Sequence, residues 1–538
     1  MVKFATRLAR AIAQAQIKTV GTRPDTYTYE GGAGFSRDPK SELFLLAVTN
    51  MVGEATFYEA AADRDERFRM LVEKVAAQDP AWIAAFVPYL RDTMQMRSAS
   101  VVMAAEFARA RLAQVKAEGS AQPKVGQPAI RSVVASALSR ADEPAEMIAY
   151  WHGRYGRRLP QPIKRGVADA ARRLYTERAA LKYDGDTRGY RMADVVELAH
   201  ADPIDARQSA LFRYLLEKRH NRERIEVNAE TLPVIAARRE LEAIPQAERR
   251  ELLVADGFAD RLQAAGATWE WLSGWLNGPM DAAAWEAVIP SMGYMALLRN
   301  LRNFEEAKVS ERAQAAVAAK LADADEVVRS RQLPLRFYSA YKNTGTLTYG
   351  PAIEKALDRS LANVPALRGR TLVMVDVSGS MVSPLSGRGS ALRWEAAAVF
   401  AAALAARAEK ADLVAFDTTS RAIEIRPGDS ILRTVEKVKP FVGGGTETFR
   451  ALRDNYRGQD RVIILTDEQA FADARSGKTP GEDVKVPIYT FNLAGYRAGH
   501  LPSGGQNRYT FGGLTDQGFL AIELLECGVD AGWPFIGS

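Results

Sequence analysis

Asp376, Ser378 and Ser380 alternate along Asp376-Val377-Ser378-Gly379-Ser380-Met381, directly after the apolar run Leu372-Val373-Met374-Val375. One carboxylate and two hydroxyls are hard oxygen donors. They suit a small divalent cation that takes few carboxylates and keeps several waters, Mg2+ first among them. The chemistry on offer is cation binding rather than acyl transfer. A serine nucleophile needs a base, and the one histidine of the C-terminal half, His500, lies in a glycine-rich stretch with no supporting signature. The paired carboxylates and histidine cluster of a nuclease are also missing, so the chain reads as a non-enzyme.

Such a loop has to be held by a sheet. A short apolar run fits a buried parallel strand, which ends at the carboxyl edge where open α/β folds gather their ligands. Strands are expected at Thr371 to Val375, Leu413 to Phe416, Ala422 to Ile425, Val462 to Leu465 and Ile488 to Phe491. Helices are expected at Arg393 to Lys410, Ser430 to Val438 and Glu447 to Tyr456. This alternation predicts a doubly wound, mostly parallel sheet covered by helices on both faces. Two more loops leave the same edge. Gly443-Gly444-Gly445-Thr446-Glu447-Thr448 opens a helix with glycines that let the backbone approach a bound group, and Val462-Ile463-Ile464-Leu465 runs into Thr466-Asp467.

This ordered set resembles the metal-ion-dependent adhesion site of von Willebrand factor A domains, over about 370–538. The resemblance implies that Asp376, Ser378, Ser380, Thr446 and Asp467 hold the cation directly or through water. It implies Mg2+, with Mn2+ or Ca2+ as alternatives, and an open coordination position that accepts a partner's carboxylate. The site would then be a docking device.

Before this region, from Ser41 to Val328, amphipathic helices are broken by Gln78-Asp79-Pro80, Gly126-Gln127-Pro128, Leu159-Pro160 and Ala201-Asp202-Pro203. Apolar residues recur at helical spacing, as in Leu43, Leu46, Ala47 and Met51, or Ile163, Val167, Ala170 and Leu174. Helix pairs of roughly forty residues predict an irregular HEAT-type repeat, with a plain helical bundle as the alternative. Tyr338, Tyr341 and Tyr349 predict that the connector, Leu333 to Ala366, is packed. The expected division is a helical domain over 1–366 and a sheet domain over 367–538. A chain of 538 residues exceeds what one core usually serves.

Lys and Arg outnumber Asp and Glu by only 72 to 66, so location matters more than the sum. Eleven Lys/Arg against four Asp/Glu fall between Arg154 and Arg191. On the helix near Pro162, Arg165 and Arg172 share a face, flanked by Lys164 and Arg173 and set apart from the apolar stripe. A cationic stripe of this kind fits phosphate-backbone binding; a solvated charged face is the competing reading.

Several segments resemble the TROVE domain of the Ro autoantigen family. They are Tyr155-Gly156-Arg157-Arg158-Leu159 with Ile163-Lys164-Arg165-Gly166-Val167-Ala168-Asp169, Lys182-Tyr183, Gly189-Tyr190-Arg191-Met192-Ala193-Asp194-Val195, Leu198-Ala199-His200-Ala201-Asp202-Pro203, and Met292-Gly293-Tyr294-Met295-Ala296-Leu297-Leu298-Arg299-Asn300-Leu301. A TROVE domain followed by a von Willebrand A domain is that family's order. The resemblance, to bacterial members in particular, implies a ring of HEAT-like repeats closed by the sheet domain. It implies a monomer that binds small noncoding Y-like RNA on a basic outer surface and single-stranded ends of misfolded RNA in a central hole. An exoribonuclease such as polynucleotide phosphorylase would be the partner in RNA maturation, quality control and decay under stress.

Lys182, Arg188 and Arg191 join the stripe residues as candidate RNA contacts, and Arg91, Arg97 and Arg299 are candidates for an inner surface. Where the animal family carries Gly-Trp-Ser-His-Lys-Asp, this chain has Gly189-Tyr190-Arg191-Met192-Ala193-Asp194, which weakens the outer contact there. His152, His200 and His220 have no metal-ligand spacing and read as packing or capping residues. Tyr27, Tyr29 and Tyr58 could stack bases, although core positions are commoner for aromatics.

A single cysteine, Cys527, excludes an internal disulfide and fits a reducing, cytoplasmic compartment. The basic, acid-free opening Val2 to Ile12 also has the composition of an organellar transit peptide. The longest apolar run, Ala396 to Ala406, is too short to span a bilayer and reads as a core-facing helix, so no membrane partner is expected. The competing function is a metal-dependent protein-interaction module, of the adhesion or chelatase-subunit kind, that binds no RNA.

Overall fold

A computed structural model of the chain describes residues 18, 23–29, 31–49, 55–56, 58–117, 128–185, 189–220, 225–330, 332, 334–344, 346–360, 366–385, 391–426, 429–470, 484–501, 503, 507–513, 522, 526, 533 and 535. They belong to two compact units, one of residues 1–106, 333–339 and 357–538, the other of residues 107–332 and 340–356. The strands in chain order are β1 (Thr26–Tyr27), β2 (Ala33–Ser36), β3 (Leu367–Asp376), β4 (Ala408–Phe416), β5 (Ser420–Ile423), β6 (Arg461–Thr466), β7 (Ile488–Asn492), β8 (Ala498–Gly499) and β9 (Arg508–Gly512).

The first unit is built on a six-stranded sheet of order β5-β4-β3-β6-β7-β9. Five strands run parallel, and β5 folds back antiparallel on β4 around Asp417, whose carboxylate accepts from the Thr419 amide at 2.7 Å. β6 is buried through its length and β3 from Thr371 to Asp376, as continuous apolar runs under helices on both faces must be. Helix Arg393–Arg407 packs on β3 and β4, and its alanine run is buried, so small side chains allow a close approach. All five expected strands are present, the one expected at Ala422 to Ile425 lying two residues earlier as β5. β9 was not expected, because its short run lies between glycine-rich segments.

Sequence rhythm placed residues after Ser41 with the helical half, whereas 1–106 fold together with the sheet. Physical links explain this. β2 pairs antiparallel with β8, Phe35 opposite Gly499, and β1 completes this second, three-stranded sheet. Helix Pro39–Thr49 lies on β9 so closely that a Cβ on Gly512 would come within 2.5 Å of Val48 Cγ2.

The second unit contains helices and no strand among the described residues. Helix Gln161–Leu174 packs against both Ile130–Ala137 and Met192–Ala199, and Phe258–Ala264 against both Pro233–Glu242 and Ala282–Val288. Contacts that skip intervening helices are those of stacked helical pairs, the HEAT-like arrangement. Gly166 permits the first crossing: a Cβ there would lie 2.7 Å from the Arg131 carbonyl oxygen and 2.8 Å from Val134 Cβ. The connector forms helices Pro334–Asn343 and Thr346–Ser360, with Tyr338 and Tyr349 buried. Among the described residues no helix is long and apolar enough to cross a membrane.

Candidate metal centre and cationic face

β4 lies on one side of β3 and β6 on the other, so the carboxyl ends of β3 and β6 flank the point where the strand order reverses. Ligands of open α/β sheets bind in that crevice. Asp376 ends β3, and Asp467 follows the last residue of β6. The third loop is tied to the first by backbone bonds, Gly379 N–H to Gly444 O at 2.9 Å and Gly443 N–H to Val377 O at 2.8 Å. Gly444 has φ +77°, and a Cβ on it would meet Asp417 Oδ2 at 2.7 Å, so glycine is required where the loops meet.

The side chains converge in the same way. Asp376 accepts from the Ser378 amide at 2.9 Å through Oδ1 and from the Thr466 hydroxyl at 2.5 Å through Oδ2. Ser378 Oγ lies 3.3 Å from Ser380 Oγ, and Asp467 Oδ1 accepts from the Gln469 amide at 3.3 Å. Asp376, Ser378, Ser380, Thr446 and Asp467 are each no more than 2% exposed. Burial, followed by repulsion from Asp467, pushes the Asp376 carboxyl up to about 7. Two carboxylates withdrawn from water beside hydroxyl donors form a set that a hard dication would neutralise, so these residues fit Mg2+. Among the described residues, this site with its two carboxylates included, no three His, Cys, Asp or Glu side chains converge as metal ligands, so hydroxyls and water would complete the set here.

Thr466 escaped the sequence reading. Its hydroxyl orients Asp376, and its place beside a ligand was the only available signal. The N-terminal segment was missed as well. Thr28 Oγ1 donates to Ala470 O at 2.7 Å, the Tyr29 amide to Gln469 Oε1 at 2.8 Å, and Arg37 pairs with Glu468 at 2.5 Å, so the Asp467 loop is held from behind.

The basic residues divide. On helix Gln161–Leu174, Ile163, Gly166, Val167, Ala170 and Ala171 are buried, Arg165, Arg172 and Arg173 are exposed, and Lys164 is half-buried. Arg173 is nevertheless engaged, donating to the carbonyls of Ala135 at 3.0 Å and Leu138 at 2.5 Å. Arg165 and Arg172 form no ion pair among the described residues. Lys182 is exposed, 5.2 Å from the Tyr183 ring centroid, and Arg299 is exposed on helix Tyr294–Glu306.

Arg191 does not belong to this surface. It is 3% exposed and donates to buried Asp184 at 2.7 Å, while Asp194 accepts from the Arg191 amide at 2.8 Å and starts helix Met192–Ala199. A buried carboxylate needs a cationic mate, and Arg191 is that mate rather than an RNA contact. Arg91 is also buried, and Arg97 is half-buried. Arg188 lies outside the described residues.

The histidines have ordinary surroundings. His152 Nδ1 is 2.6 Å from the Tyr190 hydroxyl, His220 pairs with Glu197 at 2.9 Å, and His200 ends a helix at φ 53°. His500 is fully buried, edge-on to Phe449.

Comparison with known proteins adds family likeness to this geometry. The family model of the TROVE domain matches residues 264–369, and that of the Ro60 vWA domain matches residues 370–478. The first match includes the Met292 to Leu301 segment but not Tyr155 to Pro203. No curated protein sequence matches. Among solved structures, the Ro (RSR) protein of Deinococcus radiodurans is similar in fold, with a TM-score of 0.58 at 17% identity, over 91% of this chain and 100% of that one.

Proposed function

We propose that this chain, a Ro-like protein in which a TROVE segment precedes a Ro60-type von Willebrand factor A segment, is a noncatalytic RNA-binding scaffold. The observation that carries the reading on the molecule itself is the helix Gln161–Leu174, which buries one face and leaves Arg165 and Arg172 exposed and outside any salt bridge among the described residues, the Asp169 near Arg172 being held by Arg131. Side chains of that kind hold phosphates without reading bases. The RNA proposed is a small, structured, Y-like RNA on this face and single-stranded ends of misfolded RNA at a second site, with an exoribonuclease as the acting partner in quality control in the cytoplasm.

Mg2+ is proposed at Asp376, Ser378, Ser380, Thr446 and Asp467, where it would supply positive charge between two buried carboxylates. The residues' own part is to fix the three loops. Because the donors are withdrawn from solvent, the arrangement favours a cation that braces the loops over one that is permanently offered to a partner.

Filter binding of a structured RNA and a 3′-tailed RNA at several salt concentrations tests the reading. Affinity should fall steeply with salt, as counterion release requires. Affinity no greater than that of an acidic control protein would sink it and leave the interaction module. That second reading is favoured by exposed Val382 and Phe441 in the two turns that lead to and from the metal loops.

A further inference from the structure

We propose that Tyr27 and Tyr29, with Tyr58 stacked behind, form a platform for the bases of single-stranded RNA. This rests on the RNA-binding reading and adds a site to it. The usual fate of an aromatic, burial in the core, does not apply here. Tyr27 is 76% exposed and Tyr29 is 50% exposed, whereas Thr28 between them is buried and bonded to Ala470. Tyr27 ends β1 and Tyr29 enters the turn closed by Gly31 N–H to Thr28 O at 3.0 Å, so the two exposed rings flank buried Thr28.

Tyr29 is already half of a stack. Its ring lies parallel to Tyr58, with an interplanar angle of 1° and centroids 5.2 Å apart, and Tyr496 meets both rings edge-on at 5.6 and 5.5 Å. The Tyr29 hydroxyl donates to Glu59 at 3.0 Å, fixing the ring, and the Glu59 charge is met by Arg64 and Arg67. A flat π surface held in place and half open to water is what a nucleobase stacks on.

The surroundings suit a polyanion. Arg23 and Arg497 are exposed, the latter adjacent in sequence to Tyr496, and neither forms an ion pair among the described residues. Among residues 23–29, Asp25 is the one acid, and its Oδ1 accepts from the Ser36 amide at 2.7 Å. The platform reads no base identity, so it favours unpaired RNA of any sequence over a duplex, whose bases are already stacked on one another.

The test uses the full chain, an unstructured oligoadenylate and a blunt RNA duplex as probes. Tyr27→Ala with Tyr29→Ala should weaken oligoadenylate binding about five-fold or more, the loss expected when base stacking on aromatics is removed. Duplex affinity should stay at the wild-type level. Tyr27→Phe with Tyr29→Phe keeps the rings, loses the Glu59 bond and should retain oligoadenylate affinity, which separates stacking from a structural role of the hydroxyl. Wild-type affinity in the double alanine variant, or equal loss in the phenylalanine variant, overturns the platform while leaving Arg165 and Arg172 as RNA contacts. Wild-type protein that binds neither probe overturns the RNA reading and the platform with it.

Discussion

Arg37 donates to Glu468 at 2.5 Å across 431 residues of sequence, and both side chains are buried. The same guanidinium donates to the Tyr496 carbonyl at 3.0 Å, and Glu468 also accepts from Asn492. One N-terminal residue thus fixes the segment that follows a candidate metal ligand. Removing one member of a buried pair leaves the other charge uncompensated, at a cost of about 3–5 kcal/mol. Arg37→Met is expected to lower stability by that order in urea unfolding. A change below about 0.5 kcal/mol would show that Glu468 finds another partner.

Asp376→Asn should have effects of opposite sign with and without the cation. In EDTA the variant loses a carboxylate held near Asp467 in a buried site, so it should melt at or above the wild-type temperature. In Mg2+ at about a hundred times its dissociation constant, wild type should gain about 2.7 kcal/mol and the variant almost nothing. Thermal unfolding with and without Mg2+ reads both outcomes, and equal shifts in the two proteins would place the ion elsewhere.

Gly166→Ala tests packing in the helical unit. Alanine improves helix propensity by about 1 kcal/mol, yet its methyl would press on the Arg131 carbonyl and Val134. Overpacking of this kind costs about 1–3 kcal/mol, so the net change should be destabilising. A variant more stable than wild type by urea titration would mean that the two helices separate freely.

Arg165→Glu with Arg172→Glu should weaken structured-RNA binding and reduce the slope of log affinity against log salt by about 0.9 per lost phosphate contact. Arg191→Glu should act differently, since it sets a second carboxylate beside buried Asp184 and attacks the fold. Circular dichroism and salt-dependent filter binding distinguish the two. An unaltered salt slope in the first variant would remove helix Gln161–Leu174 from the interface.

Acid should destabilise the sheet unit through His500. Burial, the largest influence, holds its imidazole below the usual value near 6.5, despite the opposing pull of Glu468; Arg37 also faces it and adds to the lowering. The unfolded chain therefore takes up a proton before the folded one does, so stability is lost as pH falls through about 6.5 and below. His500→Gln should show a shallower fall in urea midpoint between about pH 7 and 5. A slope identical to wild type would assign acid lability to other groups.

Two of the three candidate loops were legible at one sheet edge in sequence, because those at Asp376 and Asp467 follow strands whose continuous apolar runs mark burial on both faces. The loop of Thr446 follows a helical turn, and only its glycines signalled it. What stayed hidden was long-range. Nothing local to Thr26–Ser36 says that its pairing partner lies at Ala498–Gly499, because a two-residue strand carries no period. Charge alone could not separate Arg165 from Arg191 either. Arg191 is buried only because Asp184, seven residues earlier, is buried with it, and an ion pair depends on a fold that spacing does not specify. Tyr27 and Tyr29 show the reverse case, in which composition favours the core and the alternation with Thr28 puts them outside.

The pairing of β2 with β8 has a consequence for biosynthesis. At about 5–20 residues per second, a ribosome that has released Arg37 needs roughly 20–90 s to make Glu468. Through that interval β2 has no sheet edge to join, and Phe35 and the face of helix Pro39–Thr49 that meets β9 remain uncovered, although helix Ala61–Gln78 can already pack on the other face. The helical unit, with contacts local in sequence, can assemble meanwhile. The chain is therefore made with its first segment waiting on its last, and that waiting segment is where a chaperone or a protease would find it.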